Sequence, residues 1–248
     1  MVPYCAEDIE TGWLLHKKLE KQVIANEQVK LVETDSQLGR VVATCMNRGL
    51  RLNLPAARAL AEEFGAALKV SAYALFEALG HHVDFASNTK VFGLLYGTLR
   101  LPMHADLEKE GSVDDDVLTW MESLPQVTAS PRLATIIRAL QECREYTKLK
   151  NTYLLPWIYE HAKEGVLYTN LNTRVARTRR FTSSEPNLQN IPVRTTLGRR
   201  LRQLFISREG FTTYSMDESQ AEYRAFAHYS QDAGLLAAYR SGRKADLH

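Results

Sequence analysis

The chain has 248 residues, 45% of them hydrophobic and 24% charged, with a formal net charge of +2. That is apolar material for one large core or two ordinary ones, and it excludes a disordered chain or a coiled coil. Three widely spaced cysteines (Cys5, Cys45 and Cys143) argue against a disulfide frame or a zinc site and suit a reducing compartment. The opening residues, MVPYCAEDIETGW, lack the basic and apolar regions of a secretory signal, and no stretch reaches membrane-spanning length. The expectation is a soluble, cytoplasmic protein without a membrane partner.

Residues 4–30 and 34–48 read as helices, the second capped by Thr34 or Asp35 and stopped at Gly49. A short run, Leu50 to Leu52, leads to Asn53 and Pro55, a cap followed by an early helical proline. The helix after it, Ala56 to Leu79, ends at Gly80. Ser87 opens another, closing near Gly97 and Pro102. An acidic loop (105–111) precedes a short helix beginning at Ser112. Ser130-Pro131 then starts a long helix running to about Tyr153, with Pro156 bending or interrupting it.

After Gly165 the texture changes. VLYTNLNT (166–173), Leu201 to Ile206 and Phe211 to Met216 are strand-like. An amphipathic helix follows from Ser219 to Arg240, stopping at Gly242. No internal repeat is visible. The fold class is therefore α+β: a helical N-terminal two-thirds, then a partial antiparallel sheet with a flanking helix.

The modest net charge hides an uneven distribution. Six acids crowd residues 106–116 against one lysine. Residues 174–202 hold eight arginines (174, 177, 179, 180, 194, 199, 200 and 202), no lysine, and Glu185 as the single acid. A charge run is commonly a solvated face, but the planar fork of arginine suits phosphate recognition. Just downstream, Asp217 ends the apolar run Phe211 to Met216 and precedes a small polar turn and the last helix. A carboxylate at such a corner, beside a concentrated positive surface, suits metal-assisted chemistry on a polyanion. The ordinary role of a lone Asp before a helix is an N-cap.

Two stretches here, SSEPNLQNIPVR (Ser183 to Arg194) and DESQAEYRAFAH (Asp217 to His228), closely resemble the family A DNA polymerases of the bacterial DNA polymerase I type, in that family's order and spacing. More weakly, KLKNTYLLPW (148–157) resembles the family's thumb-tip segment, and PYCAEDIETGWLLHKKL (3–19) the tail of its 3′–5′ exonuclease domain. There Tyr4 and Asp8 match a Tyr-x-x-x-Asp element, without the acidic metal ligands that precede it in the family. The resemblance implies three regions: a remnant of the exonuclease domain (1–30), a helical thumb (31–165), and a partial palm carrying motif A (166–248).

It also implies template-directed transfer of a deoxynucleotide to a primer 3′-hydroxyl, in replication or repair, with two Mg²⁺ ions. Asp217 would be the catalytic carboxylate that bridges both ions, helped by the backbone carbonyl of Glu218. Glu222 would act as the gate against the ribose 2′-hydroxyl. Ser219, Gln220, Glu222 and His248 would contact the nucleotide, with Gln220 near the nascent base pair and Arg224 mainly structural. Lys150, Asn172, Arg180, Asn187, Gln189, Asn190 and Arg194 would contact primer–template DNA. For single Asn residues, the alternative of a turn or side-chain cap carries nearly equal weight.

The pattern departs from the family in several places. Glu218 stands where an aromatic is usual, Ala221 where a branched apolar residue is usual, and Arg179 where the family has Gly. VFGLLYG (Val91 to Gly97) superficially resembles motif B but precedes motif A, so core packing is expected of it. The sequence ends at His248, ahead of motifs B and C. The expectation is that this polypeptide alone does not polymerise and is an internal piece or one part of a split enzyme, with a second polypeptide as possible partner. A non-catalytic DNA-binding clamp is the alternative.

Overall fold

The computed structural model describes residues 2–104, 112–178 and 180–240, the first three of them by backbone alone. They fall into two compact units, Met1–Ile206 and Ser207–His248. The architecture is largely helical with small antiparallel sheets, as expected of an α+β chain. No described helix is long and apolar enough to cross a membrane.

The first unit opens with two long helices, α1 (Val2–Ala25) and α2 (Val29–Arg48). They are separated at Glu27, which takes a positive φ of 56°. Neither Thr34 nor Asp35 caps α2, contrary to expectation. The helix already starts at Val29, and the Thr34 hydroxyl donates back to the Lys30 carbonyl at 2.8 Å. Gly49 does end it, its N–H bonding to the Cys45 carbonyl. A Cβ at Gly49 would sit 2.6 Å from the Leu167 carbonyl oxygen, so the strand packed there requires glycine.

Strand β1 (Leu50–Arg51) leads into α3 (Leu54–Leu79). Asn53 caps α3 as expected, accepting from the Ala56 N–H at 3.1 Å. Ser87 likewise caps α4 (Asn88–Phe92), which continues as a wide π-type turn over Gly93–Thr98. Val91, Leu94 and Leu95 of that stretch are buried, the core role expected of it. The short helix expected at Ser112 begins instead at α5 (Asp115–Glu122), with Asp114 as the cap and Ser112 donating to the Asp114 carboxylate. A single helical turn, α6 (Pro125–Thr128), follows.

Ser130 caps α7 (Pro131–Lys148), the helix that packs along α3. Pro156 does not break the chain's helical course. Beyond Lys148 the backbone widens into π-type turns, Leu149–Leu154 and Trp157–His161, and Pro156 sits between them at φ −59°. A wide turn has longer-range hydrogen bonds, so the proline's missing N–H is accommodated there.

Strands β2 (Ala162–Lys163) and β3 (Val166–Leu167) join β1 in a sheet of order β1-β3-β2. Its register pairs Leu50 with Leu167 and Ala162 with Leu167. A hairpin of β4 (Asn170–Asn172) and β5 (Thr182–Ser184) follows, with Leu171 opposite Ser183. Leu201 to Ile206 is not a strand. It falls in and after α8 (Thr196–Arg202), capped by the Thr195 hydroxyl, with an isolated bridge between Phe205 and Leu52.

Two apolar cores lie within this unit. One gathers Leu75, Val91, Leu95, Leu118, Met121, Ile136 and Leu140. The other gathers Phe64, Leu149, Leu154, Trp157, Leu167 and Leu201, so α3 and the wide-turn segment share one core with the sheet and α8.

In the second unit, Phe211 to Met216 has no regular secondary structure. Without a neighbouring strand among the described residues its backbone groups have no ladder to join, and no strand forms. The single helix expected over 219–240 is two, α9 (Ala221–Ser230) and α10 (Ala233–Arg240), broken at Gln231, which takes a positive φ of 52°. Gly242, the expected stop, lies outside the described residues.

Candidate active site and nucleic-acid interface

The carboxylate corner belongs to the second unit. Gly210, at φ 77°, allows the turn that brings the Phe211 N–H to the Arg208 carbonyl. From there the chain runs exposed through Tyr214 and Met216, which is 93% accessible, to Asp217 and Glu218. Asp217 does not cap the helix. The N-cap position is Gln220, in the left-handed region at φ 55°. Asp217 and Glu218 therefore stand ahead of the helix with both carboxylates exposed.

What holds this corner is a set of contacts reaching back from α10. The Tyr239 hydroxyl donates to Gln220 Oε1 at 2.8 Å. The Arg224 guanidinium lies over the Tyr239 ring at 4.9 Å, and its Nε donates to the Ser219 carbonyl at 2.9 Å. One aromatic side chain thus braces both ends of the turn that follows Asp217 and Glu218. Arg224 takes the structural position expected of it. Tyr239 went unnoticed in the sequence, because fifteen residues of separation from Arg224 carries no periodic signal. Glu222 is exposed on the first turn of α9. His248 lies outside the described residues.

The implied divalent ion can be set against this donor set. The carboxylates of Asp217 and Glu218 are hard oxygen donors, accessible to water, which is the ligand chemistry Mg²⁺ takes. Among the described residues no group of three or more His, Cys, Asp or Glu side chains forms a cage. The residues fit an ion that keeps water and substrate phosphate as most of its shell.

The other candidates lie in the first unit, around the β4–β5 hairpin. Ser183 is buried at the hub of a small network. Its hydroxyl meets Thr169 Oγ1 at 2.7 Å and accepts from the Leu188 N–H at 3.0 Å. The Glu185–Pro186 peptide bond is cis. Asn187 caps the next turn, its Oδ1 accepting from the N–H groups of Gln189 and Asn190. Asn172 does the same toward the Arg174 N–H at 2.8 Å. The cap alternative is thus realised at both residues, which leaves their side-chain NH₂ groups as the donors for any other partner. The Asn190 carbonyl accepts from the Tyr153 hydroxyl at 2.7 Å, tying this turn to the wide-turn segment. Burial raises the Tyr153 pKa, so that hydroxyl keeps its proton.

Asn172, Arg180, Asn187, Gln189, Asn190 and Arg194 are exposed, and Arg174 and Arg177 lie on the same β4–β5 loop as Arg180. Arg179 lies outside the described residues. Two arginines of the block are engaged elsewhere. Arg200 forms a bidentate pair with Glu63 on α3, and Arg199 donates to the Thr196 hydroxyl. Lys150 is separate from the hairpin residues. It projects toward α3, where a Cβ at Gly65 would lie 3.0 Å from its Nζ. Asp8 is exposed on α1; the Tyr4 side chain is outside the described residues.

Comparison with known proteins places the chain in one family. Residues 55–248 match the model for DNA polymerase family A. The chain is 34% identical over 238 residues to a thermostable DNA polymerase I of Thermus thermophilus, covering 94% of this chain and 27% of that protein. It is 33% identical over 221 residues to DNA polymerase I of Mycobacterium bovis, covering 88% of this chain and 23% of the relative. The chain thus spans about a quarter of the length of these relatives. A solved structure, the POL domain of Pol1 from M. smegmatis in complex with DNA primer-template and dNTP, superposes with a TM-score of 0.77 at 29% identity, over 91% of this chain and 39% of that one. With the matched model covering most of its length, the chain belongs to DNA polymerase family A.

Proposed function

We propose that the chain is the part of a DNA-directed DNA polymerase that grips the primer–template and presents the first catalytic carboxylate to the incoming deoxynucleotide, in replication or repair. The observation that carries this is the braced corner. Asp217 and Glu218 stand exposed while Tyr239, Gln220 and Arg224 fix the turn behind them. In this reading residues 1–30 are an exonuclease-domain remnant, 31–165 the thumb and 166–248 the palm segment.

Two Mg²⁺ ions, when bound, would neutralise charge gathering on the transferring phosphoryl group. The Asp217 carboxylate and the Glu218 carbonyl would hold them. Glu222 would fill the space beside the sugar and exclude a 2′-hydroxyl. Ser219, Gln220 and His248 would orient the nucleotide. Asn172, Asn187, Gln189 and Asn190 offer amide groups suited to the minor groove, whose acceptors are shared by every base pair. Arg180, Arg194 and Lys150 would neutralise backbone phosphates. In this reading the chain would work in the cytoplasm of a bacterial or phage-infected cell, with an organelle as the alternative.

Two titrations on the whole chain test the reading. Anisotropy of a labelled primer–template should show affinity falling steeply with salt, and Arg180→Ala should flatten that slope by about 0.9. Mn²⁺ binding, followed by water-proton relaxation, should be lost in Asp217→Asn while DNA affinity stays. Salt-insensitive DNA binding would defeat the reading. Mn²⁺ binding unaltered by Asp217→Asn would reduce it to a clamp without catalytic carboxylate.

A further inference from the structure

A cleft of about 430 Å³ opens between α3 and the wide-turn segment that follows α7. Its α3 wall carries Arg58, Glu62, Gly65 and Lys69, whose three- and four-residue steps keep them on one face of the helix. The facing wall carries Lys150, Leu155, Ile158 and Tyr159. Arg58 and Lys69 stand eleven residues apart, about 16 Å along the helix axis. Gly65 lets the Lys150 ammonium lie close against α3 between them. The lining residues Asn151 and Thr152 belong to a different cleft, on the side of Pro192 and Thr195.

Three cations face one carboxylate here. None of the Arg58, Lys69 and Lys150 side chains makes an ion pair or hydrogen bond with another described residue. Tyr159, on the rim, is 74% exposed and has no ring partner among the described residues. Gathering three cations around one carboxylate leaves positive charge unbalanced, and leaving a tyrosine face in water forgoes burial. A ligand that carries regularly spaced negative charges and an open π-face satisfies both. A duplex offers phosphates but hides the faces of its bases, whereas a single strand offers both.

We propose that this cleft binds a short stretch of single-stranded DNA, its phosphates on Arg58, Lys69 and Lys150 and one base stacked on Tyr159. The proposal goes beyond the duplex-gripping reading above, on which it rests for the choice of DNA over RNA alone.

The test uses the full chain with two probes, a labelled oligothymidylate and a blunt duplex, each titrated over a salt series. The double variant Arg58→Gln/Lys69→Gln should weaken oligothymidylate binding at least about fivefold and reduce its salt slope by about 1.4, the share of two phosphates. Tyr159→Leu should weaken it by at least about fivefold, and Tyr159→Phe should retain it. Duplex affinity should stay within about twofold in all of them, with circular dichroism unchanged. Unaltered oligothymidylate binding in the double variant overturns the proposal, as does an equal loss for duplex. Complete competition by inorganic pyrophosphate also overturns it, since the site would then take small anions. A wild-type chain that binds duplex and not oligothymidylate defeats this proposal and leaves the duplex reading standing; the reverse result does the opposite.

Discussion

Glu63 and Arg200, 137 positions apart, meet as a bidentate ion pair at 2.5 and 2.7 Å. The pair joins α3 to α8, and the same guanidinium lies over the Phe64 ring at 5.6 Å. The arginine's hydrogen bonds hold the Glu63 carboxyl below the usual carboxylate range. Because the folded-state pKa is depressed, the contribution is present at neutral pH and is lost as pH falls through the depressed value. Glu63→Gln should therefore lower the thermal midpoint near pH 7 and show a flatter decline on acidification than the wild type, followed by calorimetry across pH. Parallel acid limbs in the two proteins would contradict this.

Gly198, buried on α8, is placed against Pro192 of the turn that carries the DNA-contact candidates. A Cβ there would lie 2.6 Å from Pro192 Cβ and 2.9 Å from its carbonyl oxygen. Backbone cannot retreat as a flexible side chain can, so Gly198→Ala should destabilise the first unit by about 1–3 kcal/mol. Chemical denaturation measures this, and a change below about 0.5 kcal/mol would show that Pro192 moves freely.

Tyr239→Phe removes one hydrogen bond and keeps the ring beneath Arg224, whereas Tyr239→Ala removes both contacts. Amide hydrogen exchange over residues 219–240 should quicken several-fold in the first variant, in line with about 1 kcal/mol for the bond. It should quicken further in the second. Exchange at the wild-type rate in Tyr239→Ala would remove the tyrosine from its bracing role.

Cys5 and Cys45 are exposed and Cys143 is buried. Burial pushes the Cys143 thiol up to about 11, so little thiolate forms near neutrality. An aromatic disulfide reagent at pH 8 should titrate two thiols in the native chain and the third on unfolding. Three thiols reacting at similar rates would show that the core around Ile137 and Leu140 opens readily.

What the sequence made legible was local. Asn53, Ser87 and Ser130 declare helix starts because a side-chain oxygen reaches an N–H a few residues away, and all three do so here. Misreadings arose where distant partners decide. Leu201 to Ile206 is strand-like in composition, but Thr195 caps a helix there and Leu201 is drawn into the core with Trp157. Phe211 to Met216 has the composition of a strand and lacks a neighbour to pair with among the described residues. The wide turns after Lys148 have no compositional mark. At the corner, Asp217 was recognisable by its neighbours in sequence, whereas the brace from Tyr239 depends on a helix break at Gln231 that nothing nearby announces.

The broadened helical course from Leu149 to His161 sets how the gene tolerates small insertions and deletions. Each regular residue advances the helix by about 100°. A wide π-type turn holds about one residue more than an ordinary turn, so dropping one residue within 149–154 and returning to ordinary pitch would leave Pro156 and Trp157 on nearly the same face. Dropping a residue from the regular stretch 136–143 of α7 would instead turn the residues beyond it by roughly 100° and take buried side chains such as Leu140 out of the core. The spare residue in this stretch is therefore absorbed locally, and a frame-preserving single loss should be tolerated better here than in the regular part of α7.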